Sequence, residues 1–333
     1  MSSVLGLTTA DGVLDAGVLA IDCAAEVTRI GDRMREILVR FHRRGVVLGL
    51  SGGVDSSVCA ALAVQALGPD RVVGILMPER ESSETSERLA RQLVRQLGLK
   101  EVRVDITAAL EGLGCYEVRD AAIKMVVPDY GPGWKSSIGI SGGMEGQFNR
   151  FDLIVQKPQG AVQRLRLPHT QYLAIVAATN YKQRVRKSVE YFYADLHHYA
   201  VIGTPNLLEY DQGFFVKNGD GSADLKPIAH LYKTQVYALA RHLGLPDDIC
   251  TAIPTTDTYS LPLGQDGFYF ALPYHQLDLA LYAYNQGLEP AVLAQAIHVS
   301  PVQAARVYQD LAAKRRNADY LHAAPVLMPD ALP

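Results

Sequence analysis

Apolar and polar positions along the chain fall into blocks that switch between two periods. Over 18–44, Ala25, Val27, Ile30, Met34, Ile37, Leu38 and Phe41 recur at helical spacing, and Gly45 ends the run. VVLGL (46–50) is short and uninterrupted, the pattern of a strand buried on both faces. Residues 57–67 read as a helix and 71–78 as a second buried strand ending at Pro78. Residues 82–98 read as a helix that opens on Ser, Thr and Glu, and 101–107 as a third strand. Strand and helix alternate at βαβ spacing. This predicts an α/β fold: an open, parallel, doubly wound sheet with helices on both faces.

Residues 109–170 interrupt the alternation. They hold Gly131, Pro132, Gly133 and the only tryptophan, Trp134, and they show no long periodic segment. So long a stretch is read as an insertion carrying short strands or a lid. Helical periodicity returns over 171–198, as one or two helices ending near His197-His198. Residues 198–204 read as another buried strand, 231–244 as a helix closed by Gly244, and 273–320 as largely helical. The expected division is an α/β domain over 1–108 and 171–272, an insertion over 109–170, and a helical C-terminal extension over 273–333.

The formal net charge of −3 argues against a nucleic-acid partner, because phosphate neutralisation calls for a basic excess. The four cysteines, Cys23, Cys59, Cys115 and Cys250, form no C-x-x-C pair. They read as thiols in a reducing compartment, not as a metal or disulfide framework. The chain opens on no basic, apolar leader, and no apolar run approaches the ~20 residues that span a bilayer. A cytoplasmic protein without membrane contact is expected.

The chemistry concentrates at S-G-G-V-D-S (51–56), between the first strand and a helix. In open α/β sheets, ligands bind beyond the C-terminal ends of the strands, where this segment falls. Gly52 and Gly53 allow a tight turn whose amides, with those of the helix N-terminus, form an anion nest. Ser51 and Ser56 add hydroxyl donors. Asp55 would repel phosphate unless a cation lies between them, which implies Mg²⁺ held by oxygen ligands. Residues 141–143 are also Ser-Gly-Gly, but no Asp-Ser follows and the preceding residues do not read as a buried strand, so that copy is read as a loop.

The strand–SGGVDS–helix unit resembles the PP-loop of ATP pyrophosphatases, which cleave ATP between the α and β phosphates and transfer AMP to a substrate. The loop alone does not choose among the members of that superfamily. Five further runs do: MPERESSETSERLARQL (77–93), NYKQRVR (180–186), GTPNLLE (203–209), GFFVKNGDGSADLKPIAHLYKTQV (213–236) and PTTD (254–257). Together they are similar to the NAD synthase family. The resemblance implies an adenine nucleotide alpha hydrolase-like fold and an ammonia-dependent ligase. Mg-ATP would adenylate the carboxylate of deamido-NAD, and ammonia would then displace AMP.

Carried onto this sequence, the resemblance implies a catalytic set of Asp55, Lys233, Ser51 and Ser56. It implies ATP contacts from Gly49, Leu50, Ser51, Gly52, Gly53, Val54, Asp55, Ser56, Met77, Arg80, Thr204, Lys233 and Thr255. It gives Asp55 and Glu209 to Mg²⁺. Arg184, Phe214, Lys217, Asp224 and Lys314 would meet the dinucleotide, with Phe214 stacked on the nicotinate ring. A homodimer and free ammonia, or a separate glutaminase, complete the expectation. Read without the resemblance, Lys233 is a solvated lysine in a first helical turn, Asp220 and Asp224 make turns, and Arg184 and Arg186 form a charged helix face.

The sequence departs from the family pattern in three places: the length of 109–170, Asp266-Gly267 where an acidic pair is usual, and Ala313-Lys314-Arg315 where a histidine precedes Lys-Arg. All three fall on the acid-substrate side. They motivate one alternative, a ligase for another carboxylic acid; a separate one, less favoured by the charge, is a tRNA-modifying or other nucleotide-binding protein.

Overall fold

In the computed structural model, residues 14–141, 150–252, 259–261 and 272–328 are described. Helix α1 (Cys23–Arg40) leads into strand β1 (Val46–Gly49), α2 (Val54–Leu67), β2 (Val72–Leu76), α3 (Glu84–Leu97) and β3 (Lys100–Arg103). Next come α4 (Thr107–Gly112), α5 (Cys115–Lys124), β4 (Lys135–Ser141), β5 (Arg150–Gln156), β6 (Val162–Arg166), α6 (His169–His197) and β7 (Ala200–Val201). Helices α7 (Leu207–Gln212), α8 (Lys233–His242), α9 (Asp247–Cys250), α10 (Tyr274–Asn285), α11 (Pro290–Ala296) and α12 (Pro301–His322) follow.

The central sheet has the order β3-β2-β1-β7 and is parallel throughout, with Val46 opposite both Val72 and Ala200. Side chains alternate across a strand, so β1 feeds two cores. Val46 and Leu48 pack with α1, α2, α3 and α8, and Val47 packs with α4, α5 and α6. The fold is therefore α/β with helices on both faces, as the βαβ spacing predicts. Helices α10, α11 and α12 bury a separate apolar cluster that includes Leu14, Leu19 and Leu208. Among the described residues, no helix is long and apolar enough to cross a membrane. The four cysteines are free, and all but Cys23 are buried.

Local chemistry sets the element ends. Asp22 accepts a hydrogen bond from Ala25 N at 3.0 Å, so α1 starts at Cys23, later than the periodicity suggests. Helix α2 begins at Val54, three residues before the expected start, directly behind the glycine turn. β3 stops at Arg103 because Asp105 accepts from Thr107 N at 2.9 Å and opens α4. Residues 169–197 form a single helix, ended by His198 in the left-handed region at φ 59°.

The segment 109–170 is more regular than its sequence suggests. Gly114, at φ 69°, separates α4 from α5, which makes two short helices where no period is long enough to read. An antiparallel meander β4-β5-β6 follows. It packs Ile138, Leu153 and Val155 against Ile123 and Ile175 of α5 and α6. A strand with a buried centre therefore does precede Ser141, contrary to the sequence reading, and it belongs to this meander. Residues 142–143 lie outside the described residues.

Candidate functional site

The parallel strands end in one cleft of about 2010 Å³. At its floor, Gly52 adopts φ 81°, and a Cβ there would come within 2.3 Å of Ser86 O on α3. Only glycine fits both demands. Ser51 Oγ accepts from Gly53 N at 3.2 Å and lies 3.2 Å from Ser56 Oγ, while Ser57 Oγ donates to Gly53 O at 2.8 Å. These bonds fix the loop with the N-terminus of α2 open to the cleft, which suits it to receive an anion.

Asp55, in the first turn of α2, forms an ion pair with Lys233 Nζ and accepts from Asn206 Nδ2 at 3.1 Å. Lys233 is fully buried. Its backbone is held by Asp278, whose carboxylate accepts from Lys233 N at 3.3 Å and Thr234 N at 2.7 Å and so caps α8. Burial alone would depress the Lys233 ammonium, but the charges of Asp55 and Glu209 outweigh it and hold its pKa above the ordinary value. The reading of Lys233 as a solvated lysine does not survive this geometry.

Glu209 sits in α7 beside them. A reciprocal cap fixes it: Glu209 N donates to Asn206 Oδ1, and Asn206 N donates to Glu209 Oε2, both at 3.1 Å. Burial, and then the nearby charge of Asp55, push the Glu209 pKa up to about 8, against the pull of Lys233. Lys233 thus pairs with Asp55 and lies within the field of a second buried carboxylate, Glu209. This donor set fits a hard divalent cation bound by one or two carboxylates, with the remaining ligands from phosphate and water. Among the described residues, no cluster of three or more His, Cys, Asp or Glu could hold a metal alone.

Along the same cleft lie Gly49–Ser56, Met77, Arg80, Thr204, Glu209, Phe214 and Lys233. The other candidate residues sit elsewhere. Arg184 Nε donates to Lys217 O at 3.3 Å, and Lys217 Nζ donates to Tyr320 O and Ala323 O at 2.6 and 3.2 Å, at the end of α12. Asp224 accepts from Val201 N at 2.7 Å, which ties its loop to β7. Lys314 pairs with Asp310 at 2.7 Å. These four residues do not line the cleft. Thr255 lies outside the described residues, as do Asp266 and Gly267.

The sequence reading missed a buried charge network at the end of β2. Lys182 Nζ donates to Glu79 Oε1 at 3.0 Å and Glu81 Oε2 at 2.9 Å. Arg119 Nη1 donates to Glu81 Oε2 at 2.6 Å, and Tyr116 OH to Glu79 Oε2 at 2.6 Å. Lys182 and Glu79 side chains are wholly buried. Burial works against ionised Glu81, but Arg119 and Lys182 outweigh it and hold its pKa at about 2. The network anchors the segment carrying Arg80, whose guanidinium lies 3.5 Å from the Tyr116 ring centroid. Lys182 belongs to the 180–186 run, so its motif was visible. Its partners were not, because Lys182 and Glu79 stand 103 residues apart.

The chain matches the NAD synthase family over residues 26–130 and 154–317, leaving 131–153 between the matched segments. It is 53% identical over 317 residues, 95% of each chain, to an NH(3)-dependent NAD(+) synthetase of Rhizobium meliloti (strain 1021). Its fold is shared with the solved structure of an NMN synthetase from Francisella tularensis (TM-score 0.65, 20% identity, covering 93% of this chain and 100% of that one). The same holds for an NH3-dependent NAD synthetase from Campylobacter jejuni subsp. jejuni NCTC 11168 (TM-score 0.60, 23% identity, covering 93% and 100%). With the Ser51–Ser56 glycine turn, the buried Asp55–Lys233–Glu209 group and these likenesses taken together, the chain belongs to the NAD synthase family.

Proposed function

We propose that the cleft carries out ammonia-dependent NAD synthesis from Mg-ATP, and that Asp55 and Glu209 would hold the Mg²⁺. A carboxylate oxygen of deamido-NAD attacks the α-phosphorus of ATP, the bond to the β-phosphate oxygen breaks, and pyrophosphate leaves. Ammonia then attacks the acyl carbon of the adenylate and loses a proton, and AMP departs with the former carboxylate oxygen.

The first step brings two anions together, so its barrier is lowered chiefly by positioned positive charge. The amides of 51–56 and the N-terminus of α2 receive phosphate oxygens. Lys233, locked by Asp278 and Asp55, supplies a buried ammonium at the same place, with no reorganisation during reaction. Bound Mg²⁺ would neutralise phosphate charge and orient the leaving pyrophosphate. Phe214, on the cleft wall, offers a ring face to the nicotinate.

The observation that carries this reading is the buried Lys233 ammonium held against Asp55 at the mouth of the loop. A homodimer is part of the proposal, supported by exposed Leu173, Phe192 and Leu196 on α6 and Met125 next to α5. So are a cytoplasmic location and ammonia taken free or from a separate glutaminase. The test is product analysis with deamido-NAD, Mg-ATP and ammonium: NAD, AMP and pyrophosphate should form in equal amounts. ATP turnover without NAD formation would refute it.

A further inference from the structure

One face of α6 forms a wall of the cleft along most of its length. At one end, Glu190 abuts the phosphate-binding loop: a Cβ at Gly49 would lie 2.9 Å from its Oε1. At the other end, Tyr172 stacks on Phe151 of β5, with centroids 4.3 Å apart and planes at 19°. Nearby, Tyr130 and Trp134 meet edge to face at 5.6 Å. All of these residues line the same cleft. From residue 190 back to 172 the helix rises about 27 Å. Asn180, Gln183 and Arg186 supply a polar middle between the ends.

That distance exceeds the reach of a single nucleotide anchored at the loop. The volume of about 2010 Å³ also exceeds the ~300–1,000 Å³ of an ordinary small-molecule site, leaving room for two nucleotide substrates. With the ATP triphosphate at the loop, as proposed above, and Met77 and Arg80 lining the cleft, its own base does not need the aromatic end. Two of these rings, Trp134 and Phe151, fall in 131–153, between the family-matched segments. The segment 131–153 thus adds two rings to the cleft wall.

We propose that this aromatic end binds the base distal to the reacting ring of the dinucleotide acid. Trp134, Phe151 and Tyr172 then make the enzyme select a dinucleotide over a mononucleotide acid. The assignment rests on the NAD-synthesis reading. Ring faces bind bases by stacking, which tolerates any base but requires an aromatic one, and the polar middle of α6 suits a pyrophosphate-linked sugar chain.

Trp134 is the only tryptophan in the chain, so its emission reports on this end directly. Titration of the full-length protein with deamido-NAD, with binding followed calorimetrically in the same samples, should change Trp134 emission saturably. A non-hydrolysable ATP analogue and nicotinate mononucleotide should bind without that change. In kinetics, Tyr172→Leu should raise KM for deamido-NAD roughly ten-fold while KM for ATP stays within about two-fold, and should narrow the preference for dinucleotide over mononucleotide. Phe151→Leu provides the same test if the first variant does not fold. Dinucleotide binding with unchanged emission, or equal rises in both KM values, would overturn the assignment alone. Failure to bind deamido-NAD by protein that still binds the ATP analogue would overturn the functional reading and this assignment with it.

Discussion

The two ends of the cleft are built by different means. The loop end is polar and crowded: Asp55, Lys233, Glu209, Asn206 and Asp278 hold one another through buried charge and caps contributed by α2, α7, α8 and α10. The far end is aromatic, contributed by the stretch before β4, by β5 and by one turn of α6. A phosphate end needs fixed charges, and a buried charge survives only if it is fully partnered. A base-binding end needs flat faces, which a small antiparallel sheet can add without disturbing the parallel one. Under the proposed assignments, chemistry and selectivity occupy separable parts of this fold.

The comparison predicts that variants at the loop end cost most. Lys233→Met should lower kcat by about 10²–10³, as removal of one preorganised charge stabiliser does, with the fold retained by circular dichroism. A loss of less than ten-fold would show that Lys233 is structural. Next in size is the network behind Arg80. Lys182→Met leaves Glu79 and Glu81 short of a partner and should destabilise the protein by about 3–5 kcal/mol in urea unfolding. An unchanged midpoint would mean that the pair contributes no net stability. Gly52→Ala meets both a positive φ and Ser86 O, and should weaken ATP binding, read by calorimetry, more than Gly53→Ala, whose Cβ would meet only Ser51 Oγ at 3.3 Å.

The smallest effect is a pH dependence. Glu209 has its pKa raised from an ordinary 4.5 to about 8, so its neutral form stabilises the folded chain. That contribution is full below 4.5 and is lost as pH rises through 8. Melting temperature without nucleotide or Mg²⁺ should therefore fall across this window, and Glu209→Gln should flatten the fall. Mg²⁺ binding below pH 8 should release a proton. Equal slopes in wild type and Glu209→Gln would remove this account of the carboxylate pair.

The sequence made the loop end legible because its signal is local. An apolar run, two glycines and a helix start stand within ten residues, and the strand and turn lie where they predict. Lys233 was legible only by motif: its place in a first helical turn suggests solvent, and its burial comes from α10 and α2, distant in sequence. Asn206 carried a local signal, the Asn-Leu-Leu-Glu cap of α7, but its bond to Asp55 spans 151 residues, and Asp278 caps α8 from a distant helix, so their places in the site come only from the fold. The meander was hidden because β6, VQRLR, is largely exposed and lacks clean alternation. Phe151 and Tyr172 stand singly in the sequence and meet only when β5 and α6 come together.

The central claim is that the acid's carboxylate is adenylated in this cleft. The most direct test uses deamido-NAD labelled with ¹⁸O in both oxygens of the reacting carboxylate, with Mg-ATP and ammonium, followed by mass analysis of AMP and pyrophosphate. The account predicts one ¹⁸O in the phosphate of AMP, one in the amide of NAD, and none in pyrophosphate. Label in pyrophosphate, or unlabelled AMP alongside labelled NAD, would contradict it.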